Sequence, residues 1–263
     1  MFVIGERING MFTEVKKAIE SRDKGPIKDL AERQLEGGAD CLDLNVGPSK
    51  GGDIDNMLWL IEAAQEATDA PLCIDTAKQE VMEKALEAVE NPVVMNSSKA
   101  IEEQLENYVA LATEHDAQLI ALTIDKSGVP SDVDGRVGMA ATIVTKAMEG
   151  GLDMDDLYID PVILPVNVAP KQPRRVIEAL RQMKIITDPA PNFILGLSNV
   201  SQNCKERSLL NSGYVSMAVE AGLNAAIMDA LDEDLMNAAI TAEVLMEKHL
   251  YCDDYINAYL SNK

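Results

Sequence analysis

Eight apolar runs of strand length recur along this chain, at about 2–5, 41–46, 71–75, 92–96, 118–125, 157–161, 193–197 and 225–229. Between most of them lie longer stretches with apolar residues at helical spacing. Parallel strands need a crossover long enough to hold a helix, so this alternation is the signature of repeated strand–helix units around a parallel sheet. Eight units close a barrel, and the predicted fold is a single (β/α)₈ barrel of the α/β class.

The helical stretches carry ordinary signals. Thr13 is a candidate N-cap for a helix that places Val15, Ala18 and Ile19 on one face. A second helix carries Ile27, Leu30, Ala31 and Leu35 and stops at Gly37-Gly38. Others are expected at about 56–67, where the only tryptophan, Trp59, reads as core packing, and at 101–113, 174–186 and 235–250. Residues 126–130 are turn formers that could fold over a barrel mouth. No Gly/Ser linker or low-complexity segment divides the 263 residues, so residues 1–263 are read as one domain.

Charge and cysteine usage narrow the functions open to such a barrel. With 23 basic and 44 acidic residues the formal net charge is −21, which repels nucleic acid and anionic membranes. No apolar run is long enough to span a bilayer, and the N-terminus lacks the basic and apolar regions of a secretory signal. A cytoplasmic protein is expected. Cys41, Cys73, Cys204 and Cys252 are scattered without a Cys-x-x-Cys pair, which suggests neither a zinc site nor a disulfide framework; Cys41 and Cys73 read as core.

The seventh run opens as Phe193-Ile194-Leu195-Gly196-Leu197 and breaks into Ser198-Asn199-Val200-Ser201-Gln202-Asn203. A strand buried on both faces uses such apolar residues, and Gly196 admits a flat ligand or another backbone. A turn or helix cap is the commoner use of Ser198 and Asn199. Elsewhere, however, Asp75 and Asp160 close their runs, Asn96 closes another, and Asp43 and Asn45 interrupt the second. Barrel enzymes place their chemistry at the C-terminal strand ends, and a ring of buried carboxylates anticipates donors from a ligand or metal.

Asp and Asn suit magnesium or calcium, yet two amides, sparse histidine and no phosphate loop fit a metal poorly, and no metal is expected on this chain. His115 and His249 fall outside the strand ends. Ser198 lacks a partner histidine or nucleophile elbow. Asp75 with Asp160 could imitate a glycosidase pair, but aromatic residues are only 4% of the chain, too few to supply sugar-stacking faces. A planar, donor-rich, neutral heterocycle fits better, because a carboxylate can accept two parallel N–H bonds from an amino-pyrimidinone edge while amides bridge the remaining groups.

Gly5-Glu6-Arg7-Ile8-Asn9, Leu42-Asp43-Leu44-Asn45-Val46-Gly47-Pro48, Ile74-Asp75, Met95-Asn96-Ser97, Tyr158-Ile159-Asp160-Pro161 and Gly196-Leu197-Ser198-Asn199-Val200-Ser201 together closely resemble the methyltetrahydrofolate:corrinoid protein methyltransferases. The resemblance covers essentially the whole chain and extends more distantly to the folate barrel of cobalamin-dependent methionine synthase and to dihydropteroate synthase. It implies a homodimeric barrel that binds methyltetrahydrofolate at its mouth and exchanges the N5 methyl with the cobalt of a cobalamin or related corrinoid on a separate protein. Carried over by position, Asp75, Asn96 and Asp160 would hold the pterin ring, and Asn199 would hydrogen-bond at N5. Gly196 and Ser198 would shape that wall, Gln202 and Arg207 would reach the aminobenzoate-glutamate tail, and Glu6, Asp43 and Asn45 would support the ring-binding residues from behind. Asn199, Asp75 and Asp160 are the catalytic candidates.

The departures from related patterns are informative. Corrinoid modules of this kind carry Asp-x-His-x-x-Gly, which neither histidine fits, so the corrinoid is expected on a partner. Dihydropteroate synthase would need a basic diphosphate site and a Ser-x-Arg-Pro-Gly loop after the second strand, where this chain has Asn45-Val46-Gly47-Pro48-Ser49. That enzyme and a folate-binding protein without turnover are the alternatives to methyl transfer.

Overall fold

The computed structural model of the chain describes residues 1–48 and 51–247. Its strands are β1 (Phe2–Gly5), β2 (Cys41–Leu44), β3 (Leu72–Asp75), β4 (Val93–Lys99), β5 (Gln118–Leu122), β6 (Leu157–Asp160), β7 (Asn192–Gly196) and β8 (Ala225–Met228). Each pairs in parallel with the next, and β8 pairs with β1 to close the barrel. The helices are α1 (Thr13–Ser21), α2 (Gly25–Glu36), α3 (Asp53–Gln65), α4 (Gln79–Ala88), α5 (Glu102–Glu114), α6 (Val133–Glu149), α7 (Gln172–Met183), α8 (Arg207–Ala221) and α9 (Glu233–Leu245).

Strand side chains alternate between two faces, and here both faces are buried. One face contributes Ile4, Cys41, Cys73, Val94, Ile120, Tyr158, Ile194 and Ala225, one residue from each strand, to a layer that fills the barrel. The other face, including Val3, Leu42, Leu44, Leu72, Ile74, Leu119, Ile159 and Leu195, packs against the apolar stripes of the helices. Both predicted core cysteines are fully buried, one in each of two adjacent strands of the inner layer. Trp59 is half-buried against the core, with the Arg22 guanidinium 5.5 Å from its ring.

Several local expectations change. Thr13 is the first residue of α1 and Phe12 occupies the capping position without a side-chain bond, so the N-cap reading was wrong. Asn96 does not end its strand: a register shift between Asn96 and Ser98 lets β4 continue pairing with β5 as far as Lys99. The second and fifth strands stop early, at Leu44 and Leu122. Helix α6 was not read from the periodicity. Gly135 and Gly138 weaken its first turns, and it starts because Asp132 accepts a 2.8 Å bond from Gly135 N–H. The expected end of the last helix, like His249 and Cys252, lies outside the described residues.

Candidate active site

The alternation that builds the inner layer also builds the site. Two residues beyond each member of that layer stand Glu6, Asp43, Asp75, Asn96, Leu122, Asp160, Gly196 and Ile227, and all eight line a cavity of about 320 Å³ at the C-terminal strand ends. Asn9, Ser97, Val162, Ser198 and Asn199 complete its wall. The apolar layer below forms the floor, so one turn of the strand period changes the barrel from core to polar site. Asp43 and Glu6, expected behind the ring-binding residues, belong to the cavity itself. Asn9, Ser97, Leu122, Val162 and Ile227 were missed, although counting in twos from the apolar positions would have found Leu122 and Ile227.

The carboxyls are close together and poorly solvated. Asp43 is 2% exposed and accepts a 3.3 Å bond from Asn96 Nδ2. Burial and then the charge of Asp75 push its carboxyl well above the usual range. Burial also raises Asp75, against a 2.5 Å bond donated by Asn45 Nδ2. Asn45 therefore supports Asp75 from outside the cavity, while its Oδ1 accepts from Gly47 N–H at 2.6 Å. These neighbouring acids disfavour two full charges, which suits a ligand edge rich in N–H donors.

Asp160 is held by backbone donors. Val162 N–H donates to Oδ1 at 2.7 Å and Gly196 N–H to Oδ2 at 3.3 Å, while burial raises its pKa to about 6. Beyond Gly196, Ser198 Oγ donates to Glu6 Oε1 at 2.7 Å, and burial lifts Glu6 to about 7. The charges of Arg207 and Arg7 oppose that rise only in part, and Arg7 is committed elsewhere: it pairs with Asp229 and Glu14 at 3.2 Å each and lies 4.3 Å over the Phe12 ring.

Asn199 stands in a 3₁₀ turn, Leu197–Ser201, immediately after β7. A Cβ at Gly196 would come within 3.0 Å of Asn199 Nδ2, so the glycine leaves the amide its place. Arg207 braces this turn, donating from Nη2 to Ser198 O and from Nε to Ser201 Oγ, both at 3.2 Å. Neither Arg207 nor the exposed Gln202 lines the cavity. Residues 126–130 do not line it either; Asp125 and Gly128 instead pair across a tight turn. Among the described residues, no three His, Cys, Asp or Glu side chains are grouped so as to hold a metal ion, and no helix is long and apolar enough to cross a membrane.

Fold and cavity define a (β/α)₈ barrel whose mouth gathers neutral amides and carboxyls whose pKa values burial raises. The chain belongs to the pterin binding enzyme family, which matches residues 12–229. It is 28% identical to the methylcorrinoid:tetrahydrofolate methyltransferase of Eubacterium limosum, over all of this chain and 97% of that one. It is 29% identical to methionine synthase of Mycobacterium leprae over 88% of this chain, but only 20% of that much longer protein. In fold it resembles dihydropteroate synthase of Yersinia pestis in a sulfonamide drug complex, with TM-score 0.71, 13% identity and 94% of each chain covered. The Coxiella burnetii dihydropteroate synthase with pteroic acid gives 0.69 at 15% identity, again over 94% of each chain.

Proposed function

We propose that this chain is a methyltransferase that moves a methyl group between N5 of methyltetrahydrofolate and the cobalt of a corrinoid carried by a separate protein. The ring of Asp43, Asp75, Asn96 and Asp160, gathered with Asn199 around one cavity, carries the reading, since it offers a pterin acceptors for its N–H edge and an amide for the remaining groups. The whole-length match to a corrinoid:folate methyltransferase supports it. Asp75, Asn96 and Asp160 hold the ring, with Asp43 and Asn45 orienting Asp75 and Asn96. Gly196 and Ser198 shape the wall; Gln202 and Arg207 stand outside it, where the folate tail would emerge. The same reading makes the chain a single domain, 1–263, a homodimer and a cytoplasmic protein.

In transfer toward cobalt, the carbon–N5 bond breaks as Co(I) attacks in line with it and a carbon–cobalt bond forms. The electron pair left on N5 takes a proton; the reverse reaction returns that proton as N5 acquires the methyl group. Asn199 is neutral, so it stabilises the change at N5 by hydrogen bonding, and the proton comes from a titratable group or water. An open mouth is required for the corrinoid to approach.

None of the thirteen described residues lining the cavity is a lysine or arginine, which disfavours the diphosphate substrate of dihydropteroate synthesis. A visible-spectrum assay of Co(I) corrinoid with methyltetrahydrofolate tests the reading. Formation of methylcobalt should require the protein and slow about 100-fold in Asn199→Ala, with a smaller change in folate affinity. Tight folate binding without conversion on free or protein-bound corrinoid would instead establish a binding protein.

A further inference from the structure

Behind the cavity lies a charged side chain that the methyl-transfer reading leaves unused. Arg136 of α6 is fully buried, and no carboxylate pairs with it among the described residues. All its partners are neutral oxygens: Nε donates to Pro161 O at 2.7 Å, Nη1 to Asp132 O at 3.2 Å, and Nη2 to Val162 O at 3.3 Å and Gln172 Oε1 at 2.8 Å. Burying an unpaired guanidinium is costly, and packing alone would be served by an apolar side chain.

The grip falls on a strained point. Val162 has φ +59°, a left-handed conformation that a β-branched residue rarely adopts. The carbonyls of Pro161 and Val162 belong to the two peptide planes that flank its Cα, so Arg136 holds both planes and with them the turn. The first of those planes also carries the Val162 N–H that donates 2.7 Å to Asp160 Oδ1. One peptide group is thus tied to Arg136 through its oxygen and to the cavity carboxyl through its nitrogen. Hydrogen bonds in such a chain polarise and orient one another.

We propose that Arg136 is a positioning residue for the pterin site: by fixing the left-handed turn at Val162 it aims the Asp160 carboxyl into the cavity. The proposal rests on the pterin-binding reading above. Arg136 touches no substrate and acts through the two peptide groups that flank Val162. A lysine cannot reproduce the role, because it lacks the planar fork that reaches both carbonyls.

The test is a mutant cycle on methyltetrahydrofolate affinity with Arg136→Gln, Asp160→Asn and the double variant, accompanied by a crystal structure of Arg136→Gln. Arg136→Gln should weaken binding about tenfold, and combined with Asp160→Asn it should add almost nothing, since both remove the same oriented carboxylate. Losses that multiply would overturn the proposal and make Arg136 a general structural support. Val162→Gly in the Arg136→Gln background should recover part of the affinity, because glycine adopts the left-handed turn unaided; no recovery counts against the mechanism. Should Arg136→Gln fail to fold, Arg136→Lys takes its place in the cycle, in the crystal and in the Val162→Gly background, with the same outcomes expected. The crystal structure needs no ligand: loss of the positive φ and of the Val162–Asp160 bond supports the proposal, and an unchanged turn overturns it. Absence of folate binding by the wild-type protein would instead defeat the functional reading, with the crystal geometry still deciding the role of Arg136.

Discussion

At the scale of single residues, the cavity carboxyls are held in a form that costs stability. Glu6 has its pKa raised from an ordinary 4.5 to about 7, chiefly by burial. The folded state therefore binds more protons than the unfolded state across that interval, and stability falls as pH rises from about 4.5 through about 7. Glu6→Gln removes the titration while keeping an acceptor for Ser198 Oγ. At pH 8 it should be more stable than wild type by about 1–3 kcal/mol, a gain that fades as the pH is lowered toward 4.5. Thermal denaturation across that range checks this, and a gain that grew toward acid pH would contradict it. Buried acids with raised pKa values at a cavity are the pattern expected where binding rather than folding sets the residue.

At the scale of elements, two mouth loops are locked by the close approach of their glycines. A Cβ at Gly10 would stand 2.1 Å from Val46 O, and Gly47, at φ +68°, would meet the Gly10 backbone at 2.6 Å. No side chain can be inserted without moving one loop. The loops carry Asn9, on the cavity wall, and Asn45, the donor to Asp75. Gly10→Ala is expected to cost about 1–3 kcal/mol of stability and also to weaken methyltetrahydrofolate binding. Equal folate affinity in a destabilised variant, measured by titration, would show that the loop contact serves the fold alone. The motif residues around Gly10 and Gly47 were legible as a family resemblance, but their mutual contact was not, because it joins loops after two different strands.

At the scale of the whole molecule, the net charge of −21 governs encounters. On the proposed reading, a corrinoid protein would meet an acidic molecule and is expected to do so with a neutral or basic patch. With a basic partner, kcat/KM should fall about tenfold or more between low and physiological ionic strength, whereas transfer to free corrinoid should change little. Stopped-flow rates in a salt series measure both. A rate that rose with salt would mean an acidic partner that must overcome repulsion.

The barrel was legible in the sequence itself, since strand-length apolar runs alternating with amphipathic helices make a parallel sheet covered on both faces, and eight such units are the number that closes it. Asp75, Asp160 and Asn199 were legible because they end or follow such runs. The inclusion of Glu6 and Asp43 in the cavity, the continuation of β4 past Asn96 and the exclusion of Arg207 needed the closed barrel. Register between strands, rather than position within one, decides which side chains reach a common level. Arg136 was invisible for the same reason: apart from Asp132, its partners lie 25 to 36 residues away in sequence. Only packing α6 behind the β6 loop makes a buried arginine and a left-handed valine parts of one site.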